Sequence, residues 1–151
     1  MLFDRIKYRV WQFFNELFPK YNQNDWEKAL SFAPKQLITI LETHKTVEKA
    51  HIIRVFNAVC NSSDFSKEKH DLFKTLAVIH DIGKTQKRLS LPMKVVKVLL
   101  GYDLANHCET GAEVLCQNNC QAELIELVRK HHDTNTRDKD LAAFIKIDDT
   151  N

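Results

Sequence analysis

The chain has 151 residues, enough for one domain with a hydrophobic core and little room for a second. A formal net charge of +2 gives no argument for a nucleic-acid binder, which would usually show a strongly basic face, and no apolar run approaches the roughly 18 residues of a membrane span. Three glycines and three prolines are too few for a protein of tight turns, so the expectation is all-α: a single-domain helical bundle.

The pattern Phe3, Ile6, Val10, Phe13, Phe14, Leu17 predicts an amphipathic helix over Phe3–Phe18, stopped by Pro19. A short helix is expected over Trp26–Phe32, and Pro34 opens another that runs to about His44, leaving His44 solvated at its end. Thr46 is the expected N-cap of a helix over Val47–Cys60, on which Val47, His51, Val55 and Ala58 share a face. After the loop Asn61–Asp64, Ser66 caps the next helix and Phe65 staples it. That helix carries Leu72, Phe73, Leu76 and Ile79 at helical spacing and ends in His80-Asp81-Ile82-Gly83-Lys84. His70 falls off its stripe and reads as a surface residue. Gly83, free to take a left-handed backbone, reads as the terminator.

A basic loop is expected over Thr85–Ser90, then a helix over Pro92–Leu100 ended by Gly101. Further helices are expected over Asn106–Asn118, with His107, Gly111, Val114 and Leu115 on one face, and over Gln121–His132, with Leu124, Leu127, Val128 and His131 on one face. Asp133–Asp138 is a polar loop, and a last helix from Leu141 carries Phe144, Ile147 and the pair Asp148-Asp149. Met1–Lys20 lacks a secretory pattern. Cys60, Cys108, Cys116 and Cys120 form no CxxC pair and read as free thiols of a reduced cytoplasm, Cys60 and Cys116 as small core residues.

Five helices thus each carry a histidine or carboxylate on or beside an apolar stripe: His51, His80 with Asp81, His107, His131 and Asp148. Carboxylates and imidazoles driven into one small core are costly unless a cation neutralises them. A metal centre inside a helical bundle removes that cost.

These residues, in this order, resemble the HD-domain metal-dependent phosphohydrolases. The likeness rests on Lys49-Ala50-His51, Ile79-His80-Asp81-Ile82-Gly83-Lys84 and Ile147-Asp148, and it divides the chain into residues 46–151, the HD domain, and residues 1–45, N-terminal helices packed on its core. Three roles are open to those first residues: covering the site, forming a homodimer through Phe3, Val10 and Phe14, or completing the core. The resemblance implies that His51, His80, Asp81 and Asp148 ligate a first divalent metal, with Asp149 the alternate to Asp148. His107-Cys-Glu-Thr-Gly111-Ala112 and His131-His132 resemble the positions holding a second metal in binuclear members, with His131 preferred over His132 because it continues the Leu124–Val128 stripe. Binding of substrate phosphate by His107 and His131 as imidazolium is the other role open to them. Asp133-Thr134-Asn135-Thr136 stands where the cyclic-dinucleotide phosphodiesterase branch has Gly-Tyr-Pro, which speaks against that substrate and leaves the metal set intact.

The implied activity is hydrolysis of a phosphomonoester or phosphodiester, of nucleotide type, by water activated on one or two ions of Mn, Fe, Co, Ni, Zn or Mg. Asp81 is then able to accept a proton, and Lys84 steadies phosphoryl charge. The alternative is a non-catalytic HD-type signalling or scaffold module that binds a nucleotide or a protein. Neither a membrane nor nucleic acid is an expected partner.

Overall fold

A computed structural model describes residues 20–86 and 104–151. The helices expected over Phe3–Phe18 and Pro92–Leu100, and the loop beyond Gln86, lie outside the described residues. Among those residues there are seven α-helices, two short 3₁₀ turns and no strand. The described fold is all-α, in line with the scarcity of glycine and proline.

Helix α1, Gln23–Leu30, starts where the Asn22 side chain accepts the Asn24 N–H, and buries Trp26, Ala29 and Leu30. The helix expected from Pro34 to His44 is instead a 3₁₀ turn, Lys35–Leu37, followed by one turn of α-helix, α2, Ile38–Leu41. The backbone N–H groups of Thr43 and His44 close i→i+3 bonds onto Ile40 and Leu41, and the Thr43 hydroxyl donates to the Ile40 carbonyl, which tightens and ends the helix. His44 is therefore turned inward. It is buried, with 4 % of its surface exposed, and its Nδ1 lies 3.1 Å from Glu48 Oε2, contrary to the solvated position expected.

Helix α3, Thr46–Asn61, begins one residue before expectation. Thr46 does not cap it: the Glu48 carboxylate reaches back to accept the Lys45 N–H at 2.8 Å. Ser66 likewise does not cap the next helix. Its N–H and hydroxyl donate to the Asp140 carboxylate at 2.9 and 3.0 Å, so the loop is pinned to the last helix, and α4 runs only over His70–Ile79. Phe65 packs on Phe73, ring centres 5.0 Å apart. His70 is half-buried rather than free on the surface: its ring stacks on Phe65 and Nε2 lies 2.8 Å from the Val59 carbonyl.

After His80 and Asp81 the chain tightens into the second 3₁₀ turn, Ile82–Gln86. Helix α5 covers Leu104–Gln117, α6 Ala122–Lys130 and α7 Lys139–Thr150. Asn119, at φ 52°, makes the left-handed turn between α5 and α6. Asp138 caps α7 by accepting the N–H groups of Asp140 and Leu141.

Helix α3 packs on α4, on α1 and on α7, while α6 packs on α4 and α5. Trp26, Leu37 and Leu41 share one hydrophobic cluster with Phe56, Phe73, Leu115, Val128 and Phe144, so residues 20–45 complete the same core as the later helices. Cys60 is half-buried and packs against the hydrophobic cluster, whereas Cys116 is exposed, which corrects its reading as a core residue. Cys108 is the buried thiol.

The second 3₁₀ turn lies directly against α5. Gly83 makes this contact, and for a reason other than its expected one, since its φ lies outside the left-handed range. A β-carbon there would stand 2.0 Å from the His107 carbonyl oxygen and 2.7 Å from the Gly111 nitrogen. This backbone-to-backbone approach sets His107 beside Asp81.

Candidate metal centre

The site begins with two imidazoles whose orientation is fixed from behind. His80 is wholly buried at the end of α4, with Nδ1 3.0 Å from the Ala77 carbonyl. His131, also wholly buried, ends α6 with Nδ1 2.6 Å from the Val128 carbonyl. In each case the Nδ1–H donates to a carbonyl one turn back, so Nε2 is the atom presented to the interior.

His80 Nε2 lies 3.3 Å from Asp148 Oδ1 and 3.6 Å from Asp81 Oδ2. His51 reaches the same point from α3, its Nε2 3.0 Å from Asp148 Oδ1 and 3.8 Å from Asp81 Oδ2. Asp81 Oδ2 also accepts a hydrogen bond from Lys84 Nζ at 2.6 Å, and Asp81 Oδ1 lies 3.5 Å from His107 Nε2. Asp148 is buried on α7, whereas Asp149 points outward and is exposed. Side chains from five separate segments therefore meet at one place.

Next to this group lies a second. His107, Cys108, His131 and His132 each offer a ligand atom, all within 4.8 Å of one another; His51, His80 and Asp148 satisfy the same condition among themselves. Cys108 Sγ is 3.8 Å from His107 Nε2 and 3.9 Å from His131 Nε2. Asp81 stands between the groups, one oxygen facing each.

Burial and charge set the protonation of these residues. For Asp148, burial raises the carboxyl, but His80 and His51 outweigh it and hold the group far below the usual carboxylate range. Burial likewise opposes ionisation of Asp81, and Lys84, His80, His51 and His107 together overcome it. Burial pushes His80 down, yet the Asp81 and Asp148 carboxylates bring it up to about 8. For His131 burial, with the charges of His80 and His132, outweighs the raising pull of Asp81 and the Val128 carbonyl and takes it down to about 3, which favours the neutral imidazole of a metal ligand over the imidazolium role. His132 is lowered in the same way, by burial first. Burial and the Asp81 charge raise the Cys108 thiol to about 11.

Two buried polar atoms of this cluster have no hydrogen-bond partner: His80 Nε2 and Asp81 Oδ1. Leaving such atoms unsatisfied costs about 1–3 kcal/mol each. Both face a space ringed by imidazole nitrogens and carboxylate oxygens. Adjacent ligands of a cation with bonds of about 2.1 Å stand about 3.0–3.4 Å apart, close to the spacings around Asp148 Oδ1. The donors fit a divalent metal ion in composition and spacing.

Of the residues the sequence singled out, His51, His80, Asp81, His107, His131, His132 and Asp148 come together with Lys84, and Asp149 stays outside. Sequence reasoning missed Cys108. The available signal was its phase: Cys108, Gly111 and Leu115 share the inward face of α5 at spacings of three and four. His44, also missed, is buried with Nε2 unpartnered.

Fold and site together define an all-α protein whose core holds a buried histidine, aspartate and cysteine cluster able to bind a metal ion. No family model, no curated protein and no solved structure matches the chain.

Proposed function

We propose that the protein is an HD-type metal-dependent phosphohydrolase acting on a small phosphorylated substrate of nucleotide class. The observation that carries the reading is the meeting of His51, His80, Asp81 and Asp148, the ordered motif residues, around buried polar atoms that lack partners. A divalent ion held by those four side chains supplies Lewis acidity toward a phosphoryl oxygen and lowers the pKa of a water molecule.

The protein's own groups do the rest. Val128 and Ala77 carbonyls keep the His131 and His80 rings from rotating, so the donor set is preorganised. Asp81 is held ionised by Lys84 and the surrounding imidazoles, so it offers the ion a full negative charge. Lys84, its side chain 41 % exposed, bridges the buried Asp81 and solvent. On arrival of a phosphorylated substrate, its ammonium, already at Asp81 Oδ2, is a cation within the site for a phosphoryl oxygen.

The test is elemental analysis of the purified full chain, followed by phosphate release from a panel of nucleotide mono- and diesters with Mn, Fe, Co, Ni, Zn or Mg added. Bound metal together with turnover that disappears in His51→Ala supports the reading. Metal without turnover on any ester overturns the hydrolase and leaves a non-catalytic binding module. Absence of metal overturns both halves.

A further inference from the structure

Cys108 has no part in the reading above, yet it is buried and points at two imidazoles. We propose that His107, Cys108, His131 and His132 form a distinct three-nitrogen, one-sulfur site that takes zinc, with Cys108 bound as thiolate, beside the His51–His80–Asp148 group. This rests on the metal-binding half of the preceding reading and not on hydrolysis.

The argument begins with the number and type of donors. Four ligand atoms, three imidazole nitrogens and one sulfur, lie within 4.8 Å of one another, and among the described residues no other cluster combines sulfur with nitrogen. Four-coordinate N/S sets suit zinc, with bonds of about 2.0–2.3 Å, and place neighbouring ligand atoms about 3.3–3.6 Å apart. The sulfur stands 3.8 and 3.9 Å from its two nearest nitrogens, so closing on an ion takes a contraction of a few tenths of an ångström there. Thiolate favours a borderline or soft ion over magnesium or manganese, whereas the neighbouring group, two imidazoles with carboxylates, has no such preference.

Protonation suits the same assignment. The His131 Nδ1–H donates to the Val128 carbonyl, so the Nε2 lone pair is the one that faces Cys108 and His107. Cys108 keeps its proton when no metal is present; on binding, the S–H bond breaks, the Zn–S bond forms and the proton passes to solvent, with no change of oxidation state. Asp81, between the two groups, compensates positive charge on both sides.

The test loads the metal-free full chain with zinc and, separately, with cobalt(II). Expected are a sulfur scatterer at about 2.3 Å in the zinc X-ray absorption spectrum and a thiolate-to-cobalt charge-transfer band. Cys108→Ser is expected to lose the band and to weaken zinc at this site by more than about 100-fold, while one further metal per chain stays bound. A zinc spectrum fitted by nitrogen and oxygen alone overturns the proposal in the wild-type protein, whatever the variant's folding. Unchanged cobalt spectra in Cys108→Ser overturn it also. One ion on nitrogen and oxygen donors defeats only this inference; no ion at all defeats the metal-centre reading with it.

Discussion

Replacing Gly83 by alanine tests whether the close approach of the 3₁₀ turn to α5 builds the site. The new β-carbon would lie 2.0 Å from the His107 carbonyl oxygen and 2.7 Å from the Gly111 nitrogen, both backbone atoms that no side-chain rotation can clear. A carbon and a carbonyl oxygen come no closer than about 3.3 Å, so α5 must move by about 1.3 Å. Overpacking costs about 1–3 kcal/mol where side chains can yield, and a backbone obstacle sits at or above the top of that range. Alanine's smaller unfolded-state entropy returns about 0.4–1 kcal/mol. The expected net loss is about 2–3 kcal/mol, a large share of a typical folding free energy.

The same displacement carries His107 Nε2 away from Asp81 Oδ1, now 3.5 Å distant, so metal bound by the second group should fall with stability. Gly111→Ala is the control. Its β-carbon meets the Val128 methyl at 3.0 Å, a side-chain contact, and alanine favours the helix interior by about 1 kcal/mol. Urea unfolding and metal titration of both variants decide the matter. A Gly83→Ala protein within 0.5 kcal/mol of wild type, taken as roughly the scatter of neutral substitutions, or equal losses in both variants, would refute the steric reasoning.

Asp148→Ala should weaken the first metal by more than about 100-fold, because it removes the oxygen closest to both His51 and His80, while Asp149→Ala should leave binding unchanged. Isothermal titration of the two variants checks this, and matching losses would contradict the geometry. The metal-free protein should be most stable near pH 6.5. His80, raised to about 8, contributes stability that is whole below pH 6.5 and lost as pH rises through about 8, worth about 2 kcal/mol. His131, lowered to about 3, acts oppositely: stability falls as pH drops from 6.5, because only the unfolded imidazole takes up the proton. Asp81 and Asp148, both lowered, add to the acid loss below the ordinary carboxylate pKa of 3.8. Urea midpoints measured in chelator across pH 4–9 should trace this maximum. A curve that rises steadily from 6.5 to 9 would show that the two carboxylates do not govern His80.

Helical class and the inward phase of His51, His80, His107, His131 and Asp148 follow from the sequence alone. Apolar spacing within one helix is a local property, and it fixes which residues share a face. What lies behind each face is not local. The sequence left Asp148 and Asp149 as alternatives, and the packing of α7 on α3 put Asp148 at His51 Nε2 and Asp149 in solvent. Cys108 looked like any free thiol until α5 was set beside the end of α6, 23 residues later in the chain. Ser66 had the chemistry of a cap, but Asp140, 74 residues away, offered its hydroxyl and N–H a better acceptor. Gly83 shows the division most clearly. Residue identity permits a left-handed turn and a close approach alike, and only the position of the His107 carbonyl decides that the close approach is the one used.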